Sequence, residues 1–156
     1  DFRHLRCRGR CHEGRSVSQP LPDLESSAQI IELRIPCKAE WSAVARLAVS
    51  AVASRSGFTI EEIEDVKLAV AEGITNAIQN AGSASQIDIV CESEPTQLRV
   101  RLTTSGTTRA EIKPEREEFS IDGLGIFLVR SLMDEVEYDV HAERGTNLVM
   151  VKRLQH

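Results

Sequence analysis

No apolar run in this sequence approaches the roughly 20 residues that span a bilayer, and the N-terminus lacks the apolar centre of a secretion signal. A cytosolic protein with no membrane partner is therefore expected. Clustered basic charge is also missing from the bulk of the chain, whose net charge is −5 and pI about 5.4. That argues against nucleic acid or an anionic lipid surface as the main partner, since both recruit Lys and Arg. Cysteine is sparse: of Cys7, Cys11, Cys37 and Cys91 only the first two are close in sequence, which is no disulfide framework. Cys37 and Cys91 stand in strand-like apolar settings and read as small buried hydrophobes. There is no internal repeat. The chain begins with Asp1 rather than Met, so a processed or trimmed product, or a domain cut from a longer protein, is expected.

What is present divides in two. Residues 1–28 hold scattered Ser and Pro without apolar periodicity and read as a flexible tail. Five arginines against two carboxylates give residues 1–15 a charge of +3, leaving −8 for the rest. Residues 29–156 read as one domain. Alternation at Ile31, Leu33 and Ile35 predicts a strand ended by Pro36. A helix follows, with Trp41, Val44, Ala45, Ala48 and Val52 as its apolar face, closed by Gly57. The next helix opens on Thr59 as N-cap, with Glu62 completing a capping box and Phe58 and Ile63 at the staple positions, and is predicted to reach about Ala81. Its inward face reads as Val66, Val70, Ala77 and Ala81.

Strand patterns at Ile87, Ile89, Cys91 and at Leu98, Val100, Leu102 predict a hairpin turning near Glu94 and Pro95. Residues 105–122 show no period, and a connection that long in a compact domain is usually functional or mobile. Then "GLGIFLVRSLMDEV" predicts a short helix opened by two glycines, and strands follow at Val136, Tyr138, Val140 and at residues 148–152, with Gly145 at their turn. The order β-α-α-β-β-loop-α-β-β predicts an α+β two-layer sandwich: a mixed, mainly antiparallel sheet covered on one face by helices.

Two constellations could carry chemistry. In "EGITNAIQNAG", Glu72, Asn76 and Asn80 recur every fourth residue and share one helix face. An Asn oxygen is a hard neutral ligand suited to Mg²⁺, and a carboxylate one turn away can accept a proton from an attacking hydroxyl. Spacing alone favours a solvated face over a site. In "DGLGIFLVRS", two glycines at a helix start expose backbone N–H groups that can hold phosphate oxygens. The third glycine of the dinucleotide fingerprint is missing.

The two constellations, joined in order by the long loop and followed by a terminal strand pair, resemble the GHKL (histidine-kinase-like) ATPase superfamily. Within it they resemble the anti-sigma-factor serine-protein kinases. The matching stretches are "LAVAEGITNAIQNA", "GLGIFLVRSLMDEVEY" and "GTNLVMVKRL", and the likeness covers roughly Ile30 to Leu154. The resemblance implies ATP and Mg²⁺ as cofactors, Asn76 as metal ligand, Glu72 as general base towards a protein serine, and Asn80 beside the phosphates. It implies Gly123, Leu124 and Gly125 as lid and phosphate contacts, and Thr146 near the adenine. It also implies a sigma factor and an anti-sigma-factor antagonist as partners, in a stress-response setting. A homodimer would cover apolar surface near the first strand and helix.

In one place the sequence departs from the family. Where the family has Asp-x-Gly, whose Asp holds the adenine amine, this chain reads Thr104-Ser105-Gly106. A hydroxyl carries no charge, and charge-assisted hydrogen bonds are about twice as strong as neutral ones. The alternative is therefore a non-catalytic partner-switching module of the same fold, with weakened or lost ATP binding. A third reading rests on His4, Cys7, Cys11 and His12, which could hold Zn²⁺ in a metal sensor, although the usual Cys-x₂-Cys spacing is absent.

Overall fold

The structure, a computed structural model, describes residues 28–108 and 121–155. The tail cluster His4, Cys7, Cys11 and His12, and most of the long connection before the Gly-x-Gly stretch, lie outside the described residues. Five strands form one sheet: β1 (Gln29–Pro36), β2 (Gln86–Ser93), β3 (Gln97–Thr104), β4 (Glu135–His141) and β5 (Gly145–Arg153). Three helices, α1 (Ser42–Arg55), α2 (Ile60–Asn80) and α3 (Ile121–Leu132), pack on it, and a short 3₁₀ turn at Ala39–Trp41 precedes α1. The strand order is β1-β2-β3-β5-β4, and all four pairings are antiparallel. The parallel pairing that a mixed sheet would carry is thus absent among the described residues. The reason is β5, which enters between β3 and β4, so the two strands joined by the α3 crossover run the same way without touching.

The core forms where strand alternation meets the inner helix faces. Ile35, Ile87, Ile89, Cys91, Leu98, Val100, Leu102, Leu148 and Met150 are buried on the sheet, facing Val66, Ala69, Val70, Ile74 and Ala77 of α2. Ala81 instead caps α2 in an extended conformation and bridges to Thr108. Burial pushes the Cys91 thiol up to about 11, and that of Cys37 is raised as well. On α1 the buried residues are Ala45, Val49 and Ala53, while Trp41 stays 40% and Val44 43% exposed. The predicted face is rotated: the polar stripe of Ser42, Arg46, Ser50 and Ser54 takes one side of α1, apolar residues cover the rest, and periodicity does not say which of them meets the core.

α2 starts as its residues dictate. The Thr59 hydroxyl accepts from the Glu62 N–H at 3.2 Å, and the Thr59 N–H donates to the Glu62 carboxylate at 2.8 Å. That second bond is the main reason the Glu62 carboxyl is held below its ordinary range. A depressed carboxylate stabilises the fold above its unfolded pKa of about 4.3, and the contribution fades as pH falls through the lower folded value. Thr59→Ala is expected to cost about 1 kcal/mol, measured as a lower urea midpoint at pH 7; an unchanged midpoint would remove the cap from the account.

At the far end of the sheet Lys152, although only 7% exposed, donates to the carbonyl of Leu132 at 2.7 Å and to Asp65 at 3.1 Å. It therefore satisfies the C-terminal turn of α3 and ties that helix to α2.

Candidate active site

α2 runs close over the sheet because of Gly73. A Cβ there would stand 2.7 Å from Leu102 Cδ1 and 2.8 Å from Leu148 Cδ2, so any other residue would force those two leucine side chains to shift. Beside it on α2 stand Glu72, Thr75, Asn76 and Gln79. With Leu124, Gly125, Phe127 and Leu128 of α3 they enclose a cavity of about 520 Å³. Small-molecule sites occupy roughly 300–1,000 Å³. Gly125 stands against Glu72: a Cβ on it would lie 3.3 Å from the Glu72 carboxylate.

α3 begins at Ile121, so Gly123 and Gly125 lie inside the helix rather than ahead of it. A helix N-terminus presents N–H groups that have no partner within the helix, and Gly123 stands two residues after Ile121, the first described residue of α3. Phosphate-type anions are favoured at such an end by the free donors and the helix dipole together.

Asn76 is only 4% exposed. Its Oδ1 accepts from Asn80 Nδ2 at 2.5 Å and from the Tyr138 hydroxyl at 3.3 Å, while Asn80 Nδ2 also reaches the Tyr138 oxygen at 3.2 Å. Asn76 Nδ2 is buried without a hydrogen-bond partner. A buried donor left unmade costs about 1–3 kcal/mol, which marks this carboxamide as a group awaiting a ligand.

Thr104 and Thr146 form a second buried pair. Their hydroxyls lie 2.8 Å apart, and the Thr146 N–H donates to Thr104 Oγ1 at 3.0 Å. Beyond Thr104, Gly106 turns at a φ of +123°, where a Cβ would meet Ser83 Oγ at 2.6 Å. Thr107 then fixes the chain to the end of α2: its carbonyl accepts from Gly82 and Ser83, and its N–H donates to Ser83 Oγ.

Of the residues singled out in the sequence, Glu72, Asn76, Leu124 and Gly125 line the cavity, and Asn80 is bonded to Asn76 behind it. Thr104, Gly106 and Thr146 are not among the cavity's lining residues. No cluster of three His, Cys, Asp or Glu side chains suits a metal among the described residues. The single carboxamide of Asn76 fits Mg²⁺, which is commonly held by one or two protein groups and completed by phosphate oxygens and water.

Residues 35–152 match the family model of the histidine kinase-like ATPase domain. The chain belongs to this family. Over 147 residues it is 35% identical to the serine-protein kinase RsbW of Staphylococcus aureus strain JH9, covering 85% of this chain and 91% of the relative. The same values hold for the strain Newman and strain USA300 proteins. A solved histidine kinase domain, from a blue-light activated histidine kinase of Erythrobacter litoralis EL346, aligns with a TM-score of 0.45 and 20% identity. That alignment covers 77% of this chain and 62% of the other.

Within this histidine kinase-like ATPase domain, sequence reasoning missed Thr75, Gln79, Phe127, Leu128 and Tyr138. Thr75 and Gln79 stand three and seven residues after Glu72, so helical spacing could have found them. Tyr138 is the sole tyrosine. Its strand alternation pointed it inward, but nothing local pointed it at Asn76.

Proposed function

We propose that the chain is an ATP-dependent protein serine kinase and anti-sigma factor: it sequesters a sigma factor and phosphorylates a serine on an antagonist protein. The observation that carries this reading is that Glu72 and Asn76 face one cavity, across from the start of α3, in a chain akin to serine-protein kinases. Glu72 accepts the proton of the serine hydroxyl as its oxygen bonds to the γ-phosphorus, while the bond from that phosphorus to the β–γ bridging oxygen breaks and ADP leaves with the electron pair. Backbone N–H groups of the Gly123-Leu124-Gly125 stretch hold phosphate oxygens, and Gly125 leaves room for the Glu72 carboxylate beside them. Asn76 is the protein ligand for Mg²⁺, which supplies positive charge to the phosphate oxygens when bound. Asn80 backs Asn76. Thr104, Gly106 and Thr146, outside the described cavity, stand on the adenine side of the nucleotide in this reading.

The reading includes a cytoplasmic homodimer with a stress-response role. Ile30 at 61%, Ile31 at 37%, Trp41 at 40%, Val44 at 43% and Leu47 at 68% exposure leave apolar surface on β1 and around α1, which supports a second copy as its cover.

A specific observation favours the second reading, a partner-switching module without catalysis: the Thr104 hydroxyl is 2% exposed and already engaged by Thr146. Calorimetry with Mg-ATP separates the two. The kinase is expected to bind Mg-ATP and to transfer its γ-phosphate to a serine of the antagonist. No heat at millimolar nucleotide would leave only the binding module.

A further inference from the structure

We infer that Tyr138 is a positioning residue for the metal–nucleotide site, acting through a hydrogen-bond array with Asn76 and Asn80 whose direction can reverse. The inference rests on the kinase reading above, and it concerns a residue to which that reading gives no role.

Gly73 lets α2 approach the sheet where Leu148 lies, and Tyr138 is the register partner of Leu148 on β4. One turn further along α2, the side chain of Asn76 therefore comes within 3.3 Å of the Tyr138 hydroxyl. The three side chains close a triangle of 2.5, 3.2 and 3.3 Å, in which Tyr138 donates to Asn76 Oδ1 and accepts from Asn80 Nδ2. This arrangement turns the Asn76 oxygen away from ligand duty and leaves its Nδ2 buried and unpartnered.

A carboxamide has nearly the same shape after a half-turn of its plane. If both amides turn together, every contact in the triangle survives with its direction reversed. Asn76 Nδ2 then donates to Asn80 Oδ1 and to the Tyr138 oxygen, and Tyr138 donates to Asn80 Oδ1. A hydroxyl can serve both arrangements because it donates and accepts. The outcome differs in one atom: the buried, unpartnered position now holds Asn76 Oδ1, a hard oxygen suited to Mg²⁺. Tyr138 holds the carboxamide's plane and rotamer in both arrangements, as outer hydrogen-bond partners do for ligands at metal sites.

The test titrates Mg²⁺ against the full chain at a fixed concentration of a fluorescent ATP analogue, for wild type, Tyr138→Phe and Asn76→Ala, with thermal unfolding in EDTA as a companion. Tyr138→Phe is expected to raise the Mg²⁺ midpoint about tenfold while nucleotide binding in EDTA stays as in wild type. Asn76→Ala is expected to remove the Mg²⁺ enhancement. A Tyr138→Phe midpoint within about twofold of wild type overturns the inference even if the melting temperature falls, since packing alone would move only the latter. So does an Asn76→Ala variant with full Mg²⁺ enhancement. A wild type without Mg²⁺-dependent nucleotide binding overturns the kinase reading itself.

Discussion

Gly145→Ala is expected to unfold the domain or bring it close to unfolding. Gly145 begins β5 at a φ of +95°, and a Cβ built there would lie 2.0 Å from the carbonyl oxygen and 2.7 Å from the carbonyl carbon of Thr104. Both atoms belong to the backbone of a central strand, so no side chain can swing aside. Strain at a left-handed position costs about 1–3 kcal/mol, and forcing an extra carbon into packed structure adds about the same. A total on the order of 4 kcal/mol is a large share of the 5–15 kcal/mol that stabilises a domain. Urea or thermal unfolding measures it; a midpoint indistinguishable from wild type would show that β3 and β5 can separate there at little cost. The variant also probes the nucleotide site, because the strand it displaces carries the Thr104–Thr146 pair.

Glu72→Gln is expected to lower phosphotransfer by at least about a hundredfold, the lower end of what a positioned general base contributes, while Mg-ATP binding stays near the wild-type value. The amide keeps the shape of the side chain beside Gly125 and removes only its capacity to take a proton. Radiolabel transfer to the antagonist gives the rate, and calorimetry the affinity. If transfer persists at the wild-type rate, Glu72 is not the base. If binding is lost together with transfer, the carboxylate belongs to the nucleotide's binding set.

The sequence reveals most where the determining contacts are local. The Thr59–Glu62 box, the hairpin turn after Ser93 and the inward alternation of β2 and β3 each depend on residues within a few positions of one another, and each stands as read. The face of α1 was not legible, because its apolar residues cover far more than one stripe and its neighbours choose which of them is buried. The start of α3 was displaced because glycine marks a turn in isolation, yet is tolerated inside a helix that has other contacts to hold it. At the site, spacing placed Glu72 and Asn76 on one helix. Only the tertiary approach of α2 to β4 brings Tyr138 to Asn76, and only the pairing of β3 with β5 closes Thr104 on Thr146.

The place of β5 has a consequence for how the protein is made. The strand formed last along the chain occupies an interior position, so until residues 145–153 have left the ribosome β4 has no neighbour and the inner edge of β3 is unpaired. Lys152, which holds the end of α3 against α2, emerges at the same moment. The sheet that carries α2 and α3 is therefore completed only when residues 145–153 have emerged, and a nascent chain cannot hold β4 and the end of α3 in place before then.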